Sequence, residues 1–116
     1  NLATMLREML DQKQSRKFSD TDHRGVTDVT LVVKNMEAAW KLPGGIYNYG
    51  SSNDADMYET VRRVMASFGQ EALAEKATGG NVRNLMMRTD KLARHGIFFP
   101  DTAAGLEAFL RKGGAL

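Results

Sequence analysis

The stretch from Gly44 to Ser52 reads Gly-Gly-Ile-Tyr-Asn-Tyr-Gly-Ser-Ser. Its β-branched and aromatic run, Ile46–Tyr49, lies between glycines and is short enough for a strand. The polar segment Gly50–Asn53 then offers side chains that cap helices. Apolar residues follow at helical spacing until Gly69: Met57, Val61, Val64, Met65 and Phe68. The sequence therefore predicts a strand that leads into an amphipathic helix, with Gly69 ending the helix.

Upstream of this stretch the chain begins with another amphipathic helix. Its apolar residues are Leu2, Met5, Leu6, Met9 and Leu10, and Asn1 is placed to cap it. We expect a short strand over Lys17–Asp20 and a turn over Asp22–Gly25.

Between that turn and Gly44 the sequence predicts one continuous helix. Thr27 or Asp28 would cap it, because apolar residues recur at helical spacing from Val29 to Trp40.

Downstream, four further segments are expected. In chain order these are a weak helix over Glu71–Lys76, an extended piece over Arg83–Met87, a short helix from Thr89 to Gly96, and a last helix that Asp101 or Thr102 caps. The fold class is α/β: a small, helix-rich domain with two or three short strands. At 116 residues the chain fits a single domain, residues 1–116.

Composition narrows the class of protein. The 16 Lys and Arg residues are almost balanced by 14 Asp and Glu and are dispersed, so we expect no nucleic-acid partner. There is no cysteine, which suits a cytoplasmic protein. No apolar run approaches the ~20 residues of a membrane span, so no membrane partner is expected.

Three patterns that resemble reactive sites do not meet the requirements of their chemistry. The histidines His23 and His95 are far apart and lack acidic residues at chelating spacing, so no metal site is expected. Tyr58 and Arg62 are spaced like a Tyr-x-x-x-Lys pair but lack the lysine, so no catalytic residue is assigned. The glycines in Gly44–Gly50 do not form Gly-x-Gly-x-x-Gly, so no cofactor-binding residue is assigned.

The segment Gly79–Asn84 is the most site-like. It places two glycines before Arg83 and Asn84. An arginine can hold a diphosphate with two hydrogen bonds, and an asparagine can bind hydroxyl and carbonyl groups. A capped loop with a surface arginine explains the same residues equally well.

The order of five short segments resembles the C-terminal half of the dTDP-4-dehydrorhamnose reductase family, within the extended short-chain dehydrogenases/reductases. These segments are Asp22–Thr27, Gly45–Ser51, Tyr58-Glu59, Arg83–Leu85 and Asp90–Leu92. Where that family has Pro-Thr, a histidine after tyrosine, and Arg-Pro-x-Asn, this chain has Val26-Thr27, Asn48 and Arg83-Asn84. A relative that acts on another sugar nucleotide, or an epimerase-type relative, therefore stays open.

The resemblance implies that the chain is the substrate-binding C-terminal part of an extended Rossmann-type reductase. An N-terminal half would bind NAD(P)H, and the sugar-nucleotide substrate would contact Arg83, Asn84, Arg24 and Thr27. A start at Asn1, in the first turn of a helix and without Met, also favours a piece of a longer protein.

Separated from its other half, such a domain would expose an apolar face and self-associate, giving a homo-oligomer. The alternative is a stand-alone interaction or regulatory domain without nucleotide affinity.

Overall fold

The computed structural model describes residues 1–45, 47–80, 82–85 and 88–112, apart from the side chain of Arg83. The elements in chain order are α1 Leu2–Gln12, β1 Arg16–Ser19, β2 Asp22–Arg24, α2 Val29–Lys34, α3 Met36–Trp40, α4 Met57–Ser67, a 3-10 turn Glu71–Leu73, β3 Ala74–Ala77, β4 Arg83–Leu85, α5 Asp90–Ala93 and α6 Thr102–Lys112. The prediction of a small helix-rich domain with short strands is confirmed.

The strands pair in parallel as two short ribbons. β1 pairs with β3, Arg16 opposite Ala74, and β2 pairs with β4, Asp22 opposite Arg83. The turn expected over Asp22–Gly25 is therefore wrong for its first three residues, because pairing with β4 keeps them extended. The strand expected over Lys17–Asp20 is confirmed with bounds shifted by one residue, to Arg16–Ser19. The extended piece expected over Arg83–Met87 is confirmed for Arg83–Leu85, while Met86 and Met87 lie outside the described residues.

The core lies between α1, α4 and α6 and the β1–β3 ribbon. Its buried residues are Leu6, Met9, Leu10, Phe18, Val61, Val64, Met65, Ala74, Leu106 and Leu110. All three long helices were predicted from apolar spacing, and burial of one face is what stabilises a helix of this length. The helix ends predicted from the sequence are also confirmed. Asn1 Oδ1 accepts from the Thr4 amide and caps α1, and Gly69 takes the left-handed conformation after α4, with φ of 73°.

The single helix expected from Asp28 to Trp40 is instead two short helices. Asp28 caps α2 as predicted, but the chain leaves helical geometry at Asn35, where φ is −91° and ψ is 0°. The Asn35 side chain donates to the Leu31 carbonyl at 3.0 Å, a local bond that competes with the backbone ladder.

Two other expectations are wrong. Residues 47–49 form no strand, because no neighbouring strand pairs with them, while Ile46 lies outside the described residues. Tyr49 instead donates its hydroxyl to the Val32 carbonyl at 2.8 Å. The weak helix over Glu71–Lys76 shrinks to a 3-10 turn, since pairing with β1 draws Ala74–Ala77 into a strand.

A buried polar cluster, formed by Ser51, Asn53, Thr60 and Thr102, joins distant segments of the chain. The Thr102 hydroxyl accepts from the Val26 amide at 2.9 Å and donates to the Ser52 carbonyl at 3.0 Å. Thr102 therefore does not cap α6; Asp101 does, accepting from the Ala104 amide.

The backbone of Gly25 lies very close to the Ser51 carbonyl at this cluster. A Cβ at this position would lie 2.3 Å from the Ser51 carbonyl oxygen and 3.5 Å from the Thr102 hydroxyl. The contacting atom is backbone, so it cannot move aside without displacing the segment that the cluster holds.

We predict that Gly25→Ala lowers the free energy of unfolding by about 1–3 kcal/mol, the usual cost of overpacking a fixed interior. Urea denaturation followed by circular dichroism measures the change. Gly44→Ala is the matched control, because a Cβ at Gly44 meets nothing within 4 Å. Equal stability of the two variants would contradict the tight contact at Gly25.

Candidate functional site

An open groove of about 580 Å³ lies beside β1, β2 and the first turn of α1. Three of the residues that line it are cationic: Arg16, Lys17 and Arg24. Arg16 and Lys17 are successive residues of β1, so their side chains point to opposite faces of the strand. One carboxylate, Asp22, lines it as well. We call this feature the basic groove.

The backbone at Arg24 is held in place while its guanidinium stays accessible. The Asn53 amide donates to the Arg24 carbonyl at 2.9 Å, which ties β2 to the buried polar cluster. The Arg24 side chain is 45% exposed, and its Nε lies 3.7 Å from Asp22 Oδ2. At that distance the ion pair is a weak surface contact, and the guanidinium retains donors for a ligand.

The β2–β4 pairing brings three of the four predicted site residues onto adjacent strands. His23 lies opposite Asn84, and Arg24 lies opposite Leu85. Because successive side chains alternate between the two faces of a strand, Asn84 projects from the face opposite to that of Arg24. The side chain of the third residue, Arg83, lies outside the described part of the structure.

The fourth predicted residue, Thr27, does not line the basic groove. Its hydroxyl accepts a hydrogen bond from the Ser51 amide at 2.9 Å, which fastens the segment after β2 to the buried polar cluster. Its side chain is also part of the wall of a second, more apolar pocket of about 340 Å³, with Val26, Val29 and Phe109.

The site residues that sequence reasoning missed are Arg16 and Lys17. Their adjacency was visible in the sequence, but a basic pair on a polar segment is usually a solvated surface. Only the pairing of β1 with β3 and the position of α1 bring them into one groove with Arg24.

Arg62 is bound by carboxylates rather than paired with the Tyr58 hydroxyl. Its guanidinium contacts Glu59 at 2.6 Å and Glu71 at 3.4 Å. The hydrogen bond from Arg62 lowers the pKa of Glu59, and the same bond raises the pKa of Arg62. Tyr58 packs against the core, with Lys76 Nζ 5.1 Å from its ring centroid.

Near the basic groove, three buried side-chain atoms have no hydrogen-bond partner among the described residues: Asp20 Oδ1, Asp22 Oδ1 and His23 Nδ1. Buried polar atoms of this kind are rare and costly in a folded chain. Within the described residues they do not combine with other acidic or histidine side chains into a group of three that could bind a metal ion.

We predict that Glu59→Gln weakens the acid dependence of stability. The pKa of Glu59 is lowered in the fold, so the pair with Arg62 stabilises the protein above the ordinary value of 4.5 and is lost as the pH falls below it. Thermal melts between neutral and acidic pH should fall less steeply for this variant than for the wild type.

Glu8→Gln is the control for this series, because Glu8 is exposed and lies on α1, away from Arg62. If both variants keep the wild-type slope, the pair between Glu59 and Arg62 does not contribute to acid sensitivity.

In the part of the chain that the structure describes, none of the helices has the length and apolar character needed to cross a membrane. No protein-family model, curated protein or solved structure matches the chain. The assignment of function therefore rests on the chain's own residues.

Proposed function

We propose that this chain binds the phosphate groups of a sugar nucleotide in the basic groove. The observation that carries the proposal is the open groove that the cationic residues Arg16, Lys17 and Arg24 line. A diphosphate offers several oxygen acceptors, and arginine forms two parallel hydrogen bonds with such a group.

The charge balance of the groove favours a ligand with more than one negative charge. Three cationic residues and one carboxylate, Asp22, line the groove, so a bound diphosphate would meet a net positive surface. Charge-assisted hydrogen bonds to phosphate are stronger than neutral ones, particularly where a wall excludes water.

The rest of the groove suits the non-phosphate part of such a ligand. The other residues that line it include the apolar Leu2, Met5, Phe18 and Met57, with Ser19 as a polar neighbour. Small-molecule sites commonly combine apolar walls with a few polar groups in this way, since the apolar walls contact the flat faces of rings.

The two short parallel ribbons support the view that this chain binds its ligand as one part of a larger protein. Parallel sheets are usually larger than two strands and covered on both faces, whereas β1–β3 and β2–β4 are two-stranded. We therefore extend the proposal to the substrate side of an NAD(P)H-dependent reductase of 4-keto sugar nucleotides, whose dinucleotide-binding half would continue this parallel pairing.

The described residues of this chain do not fit the nicotinamide cofactor itself. Residues 47–49 form no strand ahead of Gly50, and Asp56 caps α4 with its own carboxylate at the place where a pyrophosphate would bind. The role proposed for this chain is therefore to hold the substrate, and no step of hydride transfer is assigned to it.

Arg24→Ala tests the proposal. Removing one charge-assisted contact should raise the Kd for dTDP and for inorganic pyrophosphate by about tenfold. Chemical-shift titration by NMR measures both affinities, and the wild-type shifts should cluster on residues 16–24.

Arg94→Ala is the matched control, since Arg94 is an exposed arginine that does not line the groove. Its affinities should equal those of the wild type. Absence of shifts at about 10 mM pyrophosphate, or equal binding by Arg24→Ala, would refute the proposal.

A further inference from the structure

Asp22 is a carboxylate in a groove whose charged residues are otherwise cationic. Its side chain is only 18% exposed. Its Oδ1 atom is buried without a hydrogen-bond partner among the described residues, and its Oδ2 atom lies 3.7 Å from Arg24 Nε, which is longer than a hydrogen bond. The carboxylate therefore keeps its capacity to accept hydrogen bonds.

A carboxylate in this place is unfavourable for the protein without a ligand. It repels the phosphate that the cations attract, and a buried oxygen without a donor destabilises the folded chain. An ionised carboxylate only accepts hydrogen bonds, so a donor on the bound ligand would offset both effects. Because the χ2 torsion of aspartate is soft, the carboxylate can turn so that either oxygen faces the groove.

The surroundings of Asp22 decide which kind of donor fits. A cationic donor would be repelled by the groove residues Arg16, Lys17 and Arg24. Within the described residues no group of three acidic or histidine side chains could hold a metal ion. A neutral O–H or N–H group is the kind of donor that suits a net positive groove.

The position of Asp22 relative to Arg24 limits where that donor lies on the ligand. The two residues are two positions apart on β2, so their side chains project from the same face, and their charged groups are 3.7 Å apart. A ligand whose phosphate contacts Arg24 must therefore carry the donor on a group next to the phosphate. In a sugar nucleotide the groups bonded to the diphosphate are sugars, and their neutral donors are hydroxyls.

We infer that Asp22 accepts hydrogen bonds from the hydroxyls of a sugar bonded to the diphosphate, and so makes the basic groove selective for sugar nucleotides over other phosphate compounds. The inference rests on the proposed binding of phosphate in this groove. The hydroxyls belong either to the hexose or to the ribose of the ligand, and the test below distinguishes these two sources.

Asp22→Ala tests the inference in two pairs of ligands. dTDP-glucose differs from dTDP by the hexose, and UDP differs from dUDP by one ribose hydroxyl. In at least one pair, the variant should raise the Kd of the ligand with more hydroxyls about tenfold more than it raises the Kd of the other, because a hydrogen bond to a charged acceptor is lost. The pair that responds identifies the sugar.

Pyrophosphate separates this effect from general damage to the groove. It has no hydroxyl group on carbon, and one negative charge leaves the groove in Asp22→Ala, so the variant should bind pyrophosphate as tightly as the wild type or more tightly. Chemical-shift titration by NMR measures all the affinities, and circular dichroism checks folding. Asp22→Asn keeps the size of the side chain and should shift the same ratio in the same direction by a smaller factor, because a neutral acceptor remains.

Asp20→Ala is the matched control. Asp20 also has a buried Oδ1 atom without a partner among the described residues, but it is not among the residues that line the basic groove. Its substitution should leave the Kd ratio of each ligand pair at the wild-type value.

Two results would overturn the inference while phosphate binding holds. The first is an equal change in Kd for all the nucleotides in Asp22→Ala, which would leave Asp22 with an effect of charge alone. The second is the same selective loss in Asp20→Ala. A wild-type protein that binds no pyrophosphate would overturn this inference and the proposed function together.

Discussion

The buried polar cluster is the constraint on which the rest of this fold depends. The Thr102 hydroxyl bonds the Val26 amide and the Ser52 carbonyl, while the Asn53 amide bonds the Arg24 carbonyl and the Thr60 hydroxyl. These bonds join three segments that are far apart in sequence. An unpaired buried polar group costs more than a hydrogen bond contributes, so the cluster is stable only when every segment is in place.

The candidate site follows from this constraint. Because Asn53 fixes the backbone at Arg24, the end of β2 is rigid next to β1, whose Arg16 and Lys17 line the same groove. A preorganised cation loses less conformational entropy on binding an anion than a cation on a free loop does. The proposed phosphate contact therefore depends on residues that do not touch the ligand.

The segment after Thr27, which forms α2 and α3, differs from the core helices. After the Thr27 hydroxyl bonds Ser51, the chain leaves the cluster, and α2 and α3 expose Val29, Val33, Met36 and Trp40 while Tyr49 bonds the Val32 carbonyl. Burial stabilises α1, α4 and α6, whereas α2 and α3 contain no buried residue. The boundary between the core and these exposed helices thus lies at Thr27.

The sequence by itself determined α1, α4 and α6, because apolar residues at helical spacing and local caps report on burial of one face. Gly69 and Asn1 acted as predicted for the same reason: their effects involve only neighbouring residues. The tertiary structure alone decided that Asp22–Arg24 and Ala74–Ala77 are strands and that residues 47–49 are not, since a strand needs a partner that no local pattern specifies. It also decided that Arg16 and Lys17 share a groove with Arg24, because residues on separate segments meet only through strand pairing.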